Sequence, residues 1–282
     1  MTGFIVIDKQ AGVSSAHEVN LIKRISGVSC GHMGTLDPMA SGVLPIALGN
    51  AARLFDYFLD KKKRYIAEFT FGTDSDTLDT TGTVTKTDGY VPDEKEITDA
   101  LPELCGEVMQ IPPKYSAKNV NGKRGYELAR AGIDFELKPK KVNIYGIKLL
   151  KRTSENSFSF EIHCGGGTYI RSIARDLAQK LNTFAVMSSL IREASGCFEL
   201  KDAVKSQCLN KDNIKDFIIA TDSVLPFESV YPTLNDAKKL FNGVEVNCSL
   251  KDGIYKIYFT DGSFYGLAEA KHSKLKVRTK LC

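Results

Sequence analysis

Nothing in this 282-residue sequence approaches the ~18 consecutive apolar residues that a membrane-crossing helix needs. The opening MTGFIVIDKQAG has no charged segment leading into a long apolar run, so no secretory leader is read there. The seven cysteines (Cys30, Cys105, Cys164, Cys197, Cys208, Cys248 and Cys282) form no C-x-x-C pair and stand at no ligand spacing from a histidine. That excludes a zinc site or a disulfide framework as the organising principle, and the expectation is a reduced, soluble, cytoplasmic protein. Net charge is also small, +4 at pH 7, so whole-protein basicity announces no nucleic-acid partner. Two short stretches lack what their composition first suggests. Thr73 to Asp79 is rich in oxygen but lacks the ligand order of a calcium loop, and Gly165-Gly166-Gly167 is not followed by the Gly-Lys-Ser/Thr of a phosphate loop. Neither a metal nor a nucleotide cofactor is expected.

What is present is a globular composition, 43% hydrophobic and 26% charged, long enough for a large domain with a smaller one behind it. The charge is unevenly placed. Lys114 to Arg152 holds eleven Lys/Arg against three acids, Thr73 to Glu103 nine acids against two Lys, and the last twelve residues five Lys/Arg and no acid. One such block alone reads as a solvated face. Two basic stretches with a basic end point to a polyanionic partner.

Along the chain, Phe4 to Ile7 reads as a buried strand, followed by a helix that Ser15 and Glu18 open as a capping box and Gly27 closes. Val43 to Leu48 reads as strand despite Pro45. Asn50 is placed to cap a helix with Ala51, Leu54, Phe55, Phe58 and Leu59 on one face. Tyr65, Ala67, Phe69 and Phe71 alternate as one buried strand face. Thr73 to Gly89 reads as loop and hairpin, Asp93 with Glu96 caps a further helix, and Tyr126 to Arg130 forms another, stopped by Gly132. Val142 to Leu150 and Phe158 to Cys164 are strands that can form a hairpin, with a helix from about Tyr169 to Leu181 behind the glycines. The order lacks the regular βαβ period, so the fold class is α+β with a mixed, mainly antiparallel sheet. Beyond Pro226, strand-like runs separated by Asp-Gly turns and one short helix indicate a small β-rich unit. The division is residues 1–225 and 226–282.

The most informative segment is Gly31-His32-Met33-Gly34-Thr35-Leu36-Asp37-Pro38-Met39-Ala40-Ser41-Gly42-Val43-Leu44-Pro45. Its glycines and prolines make a stiff, bent loop, and Pro38 biases Asp37 away from helical geometry. An Asp-Pro alone is turn chemistry. The whole string closely resembles the signature of the tRNA pseudouridine synthase B family. Further agreement comes from Asp8-Lys9, Gly12 and Ser14-Ser15; from Lys63-Arg64-Tyr65; from Ile111-Pro112-Pro113 with Tyr115-Ser116-Ala117 and Gly122-Lys123; from Gly167-Thr168-Tyr169-Ile170-Arg171; and from Leu190, Arg192 and Ser195-Gly196. The agreement runs from about residue 3 to 200.

The resemblance implies isomerisation of a uridine in the T-arm loop of tRNA, position 55, with Asp37 as catalytic carboxylate and Arg171 as its partner. Tyr65 would stack on the flipped uracil, Tyr169 and Leu190 would line the pocket, and His32 would enter among the loop bases. Lys9 would support the loop or a phosphate, and Arg53 would contact a phosphate. No cofactor is implied, because the reaction neither gains nor loses an atom. The final residues resemble a PUA-like RNA-binding module, and the chain is expected to act as a monomer away from membranes. Lys9-Gln10 stands where the family has Lys-Pro, and Ala51-Ala52-Arg53 where it has Ala-Thr-Lys. A non-catalytic RNA-binding protein on the same scaffold is the alternative, and the joint presence of Asp37, Tyr65 and Arg171 speaks against it.

Overall fold

The computed structural model describes residues 1–59, 62–87, 89–116, 118–120 and 122–281. Ala117 of the middle motif, Cys282 and the side chain of Leu59 lie outside the described residues. The chain opens with β1 (Gly3–Lys9) and α1 (Ser15–Ser26). The N-cap of α1 is Ser14, whose hydroxyl accepts from the His17 amide, and not Ser15 as the capping-box pattern suggests. Ser15 is buried and spends its hydroxyl on both backbone groups of Leu36, at 2.9 Å each. Gly27 does close the helix in the left-handed conformation. After β2 (Cys30–His32) and β3 (Ser41–Leu48) comes a 3-10 turn, Gly49–Leu54, and then the single turn α2 (Asp56–Leu59). The α-helix expected from Asn50 is therefore replaced by these tighter pieces. The Asn50 amide caps nothing and donates to Leu281 O at 3.1 Å, while Ala51, Leu54 and Phe58 still turn inward.

The chain continues through β4 (Lys63–Phe71), the hairpin of β5 (Thr73–Ser75) and β6 (Val84–Lys86), and α3 (Glu94–Ala100), where Asp93 and Glu96 complete the expected capping box. Next are β7 (Gly106–Gln110), the small pair β8 (Asn119–Val120) and β9 (Lys123–Arg124), and α4 (Gly125–Arg130). The expected hairpin is β10 (Lys140–Arg152) with β11 (Ser157–Cys164), leading into α5 (Ile170–Lys180), β12 (Ala185–Ser195) and β13 (Phe198–Glu199). The final portion contains β14 (Ser229–Val230), α6 (Leu234–Phe241), β15 (Val246–Asn247), β16 (Gly253–Tyr258), β17 (Phe264–Lys271) and β18 (Lys274–Lys280).

The fold is α+β. A nine-stranded sheet runs β1-β3-β12-β4-β11-β10-β7, with β2 on β3 and β13 on β12. Its pairings are antiparallel except at Ile191↔Ser41 and Arg192↔Gly42, where β12 meets β3 in parallel. Pro45 falls on β3 between the residues that pair with β12 and those that pair with β2, so its missing N–H costs little. A second, five-stranded sheet has the order β14-β16-β17-β18-β15.

Strand alternation sends neighbouring residues to opposite faces, and both faces of β1 and β3 are covered. Ile5, Ile7, Leu44 and Ile46 join Phe69, Phe160, Ile173 and Leu177 in the main core under α1 and α5. Phe4, Val6, Val43 and Ala47 join Leu54, Phe58 and Phe198 on the other side, where Leu267 of the C-terminal sheet and Leu281, just after its strand β18, also pack. Each such fully buried side chain contributes about 1.5–3 kcal/mol. The sheet therefore holds the loop between β2 and β3 against the start of α5, at one end of the main core.

Candidate active site

The loop from Met33 to Ala40 is fastened at its back by the opening of the chain. Ser15 grips Leu36, and Gly12 N donates to Pro38 O at 2.8 Å. Lys9 is buried, and its ammonium donates to Gln10 O at 2.9 Å, Val13 O at 2.7 Å and Pro38 O at 3.2 Å. Burial pushes the Lys9 pKa down to about 8, against the nearby charges of Glu18 and Asp37, with Arg192 pushing the same way as burial. Lys9 thus clamps the residue after Asp37. From below, the fully buried Arg192 of β12 donates to Gly34 O at 3.0 Å, Thr35 O at 3.2 Å and Val43 O at 2.7 Å. Gly42 allows this close packing: its φ is +98°, and a Cβ there would stand 2.3 Å from Arg192 O.

Held this way, Asp37 keeps about a third of its side chain exposed (35%) and meets Arg171, the second residue of α5, at 3.0 Å from Oδ2 to Nη2. Arg171 itself is buried. Its Nη1 faces Asp79 Oδ2 at 3.3 Å and donates to Thr77 O at 3.0 Å, while Nη2 also donates to Tyr115 O at 3.1 Å. Asp79 is buried in turn, with its other oxygen accepting from the Thr77 hydroxyl at 2.7 Å and from the Thr81 amide and hydroxyl at 2.9 and 2.5 Å. One guanidinium therefore spans two carboxylates, one buried and satisfied, the other open to the surface. Breaking the buried Arg171–Asp79 pair costs about 3–5 kcal/mol, so Asp79 holds the guanidinium in place and the guanidinium in turn aims Asp37.

Asp79 and Arg192 were not among the site residues expected from the sequence. The oxygen-rich stretch around Asp79 leaves β5 through a turn in which Leu78 has a φ of 62°, and Thr73, Ser75, Thr77 and Asp79 all turn inward. The sequence alone carries no signal that separates Asp79 from the exposed Asp74 and Asp76, since only the fold shows which alternate positions turn inward. On the exposed side of this stretch Asp76 accepts from Thr83 N at 2.8 Å and from the Tyr115 hydroxyl at 3.2 Å.

The remaining candidates divide. Tyr65 on β4 and Leu190 on β12 are buried in the apolar cluster that also takes Leu36, beside Asp37, and Ile170, beside Arg171. Burial pushes the Tyr65 hydroxyl up to about 12, so it remains a neutral phenol near neutral pH. Tyr169 is half-buried at the start of α5, and its backbone N–H and C=O are both held by the buried Gln110 amide, at 2.8 and 3.1 Å. His32 ends β2, half-buried, with Nδ1 lacking a hydrogen-bond partner among the described residues. Burial, then the charge of Arg192, holds its pKa below the usual imidazole value, so it is neutral at pH 7. Arg53 is placed elsewhere. It lies against the C-terminal sheet, donates to Lys280 O at 2.9 Å, and lines a 540 Å³ cleft with Val277, Arg278, Thr279 and Lys280.

This architecture is that of a pseudouridine synthase. The structure of a Cbf5–Nop10–Gar1 complex superposes with a TM-score of 0.73 over 99% of this chain and 85% of that one, at 24% identity, which establishes the fold. An H/ACA RNP bound to a substrate RNA containing 2′-deoxyuridine gives 0.71 over 99% of this chain and 85% of that one, at 21% identity. The sequence model of the TruB family pseudouridylate synthase (N terminal domain) matches residues 23–170. Proteins named tRNA pseudouridine synthase B from Clostridium kluyveri and Clostridium acetobutylicum are 36% and 37% identical, with 98% of each chain covered. One from Borreliella burgdorferi is 38% identical over 90% of both chains. The chain belongs to the TruB family of pseudouridylate synthases. No helix among the described residues is long and apolar enough to cross a membrane.

Proposed function

We propose that this enzyme converts the uridine at position 55, in the T-arm loop of tRNA, to pseudouridine, with Asp37 as the catalytic carboxylate. The observation that carries the reading is the Asp37–Arg171 pair: a carboxylate aimed by a buried guanidinium at 3.0 Å yet still partly open to the surface. A base within an RNA loop leaves its stack to reach such a group, and the pocket then replaces the lost stacking. Tyr65 offers an aromatic face for the flipped uracil, Tyr169 and Leu190 give the walls, and His32 enters the space the base vacates. Neutral His32 suits that steric task, which needs no proton transfer. Asp37 acts on the base or on the sugar while N1–C1′ breaks and C5–C1′ forms, and no cofactor is required because the atoms are conserved. Lys9 serves by holding the loop.

Residues 1–225 perform the chemistry, and residues 226–282, a PUA-like module, supply RNA contacts together with Arg53. The enzyme works as a monomer in the cytoplasm. The decisive experiment is incubation with unmodified tRNA transcript, followed by mapping of pseudouridine at nucleotide resolution. Modification at a single T-loop uridine is expected; pseudouridine only in other arms, or none, would sink the assignment.

A further inference from the structure

Arg192 is the largest of the fully buried side chains, and it is buried without a counter-charge. Its guanidinium donates to the carbonyls of Gly34, Thr35 and Val43, and Tyr65 lies opposite it in the β12–β4 register. All three acceptors are neutral, and among the described residues no carboxylate comes within 4.0 Å of it. Arg171, by contrast, stands between two carboxylates. Enclosing an unpaired cation is costly, and holding three carbonyls needs only neutral donors. The cation's influence is felt around the pocket: behind the larger effect of burial, it adds to the lowering of His32 and of Lys9. At Tyr65 burial outweighs the cation, but the cation's own contribution favours negative charge on whatever occupies the space beside that ring.

We propose that Arg192 is a positioning residue whose uncompensated positive charge, set behind Tyr65, stabilises the uracil as it leaves C1′ as an anion. The inference rests on the reading of Tyr65 as the residue that stacks on the flipped base. In the step concerned, the electron pair of the N1–C1′ bond departs with uracil. C1′ is satisfied by a bond to an Asp37 oxygen, or by a C1′=C2′ double bond after the C2′ proton passes to Asp37. The uracil anion later bonds through C5 to C1′ as the Asp37–C1′ bond breaks, or as C2′ takes its proton back from Asp37. The C5 proton is then released and N1 takes up a proton, so nothing is oxidised or reduced. Arg192 acts through the field and through Tyr65, without touching the nucleotide.

The test compares Arg192→Gln and Arg192→Lys with the wild type in single-turnover assays on tRNA carrying uridine or 5-fluorouridine at the target. Cleavage of the N1–C1′ bond is read as loss of the starting nucleoside, since fluorine leaves no C5 proton to release in the last step. Fluorine makes the departing uracil a weaker base and so reduces the need for a nearby cation. Arg192→Gln should slow reaction of the uridine substrate about a hundredfold. The 5-fluorouridine substrate should recover at least about tenfold of that loss, and Arg192→Lys, which keeps the charge, should restore most of the uridine rate. Equal slowing of both substrates, or a lysine variant no better than glutamine, would mean that Arg192 only holds the loop and would overturn the proposal. Melting curves and tRNA titrations identify variants that have not folded. If neither folds, leaving-group dependence of N1–C1′ cleavage is read in the wild type between uridine and 5-fluorouridine: a flat dependence supports a charge already met by the protein, and a steep one overturns it. A wild type that forms no pseudouridine in tRNA would fail the functional reading itself, which these comparisons keep separate.

Discussion

Arg171 serves two carboxylates and two backbone carbonyls with its two terminal nitrogens, and this divides the labour within the site. Lysine would keep the charge but offers a single, strongly hydrated point in place of a planar fork, so it cannot face Asp79 and Asp37 together. Arg171→Lys should lower the single-turnover rate at least about a hundredfold, roughly 2.7 kcal/mol of barrier, with tRNA binding little changed. A normal rate would show that charge alone suffices, and weakened binding with normal chemistry would move Arg171 to the RNA-binding surface. Asp37→Asn should abolish isomerisation while leaving affinity within about tenfold, since phosphate contacts supply most of the binding. Measurable turnover by that variant would remove Asp37 from the centre.

His32 gives a pH signature at the same scale. Its pKa is lower in the folded chain than the ordinary 6.5, so on acidification the unfolded chain takes up the proton first. The stability His32 contributes is intact above 6.5 and is lost as pH falls from there through the lowered folded value. His32→Gln should flatten that limb of the urea midpoint against pH, and an unchanged limb would assign the titration to another group.

At the scale of elements, the active-site loop is shaped by what packs behind it. Gly42→Ala puts a Cβ into the carbonyl of Arg192 at a φ of +98°, so β3 and β12 must separate where they run parallel. The expected result is a loss of several kcal/mol of stability together with activity, read by thermal melting and tRNA assay. A variant with wild-type melting would show that the two strands yield without cost. The same region shows how far the sequence could be read. Alternating β4, the β10–β11 hairpin and the capping box at Asp93 were legible because period and capping chemistry are local. The strand β12, central to the sheet, was not, since Leu190 alone fits a helix as well as a strand and only its neighbours decide. Asn50 and Ser15 misled for a related reason: each has good helix-cap chemistry, but a distant backbone, Leu281 for one and Leu36 for the other, claims the side chain. Asp37 and Arg171 were legible through their motifs, whereas Asp79 and Arg192 emerge only when burial is known.

At the scale of the whole molecule, the C-terminal sheet is fastened to the rest by both apolar and polar contacts. Leu267 and Leu281 share a cluster with Phe4, Leu54 and Leu225, and Asn50 and Arg53 donate to the backbone of Leu281 and Lys280. Truncation after Leu225 would open that cluster as well as remove basic residues, so exposed lysines give the cleaner test. The basic end folds as β18, a strand not expected from its sequence, joined to β17 through His272 and Ser273 with φ of 50° and 60°. Lys271 and Lys274 flank that turn and are exposed, with Glu245 only at 4.0 Å from Lys274. Replacing both with Gln should leave the fold and the rate at saturating RNA unchanged. A phosphate that a lysine no longer neutralises keeps its condensed counterions when the RNA binds. Affinity should therefore fall, and the plot of log affinity against log salt should become shallower by about 0.7–0.9 for each phosphate so freed. Filter binding across a salt series, beside single-turnover rates at saturating enzyme, reads both quantities. An unchanged slope would leave these two lysines outside the RNA footprint, and a slower rate at saturation with unchanged affinity would place the C-terminal sheet in the chemistry instead.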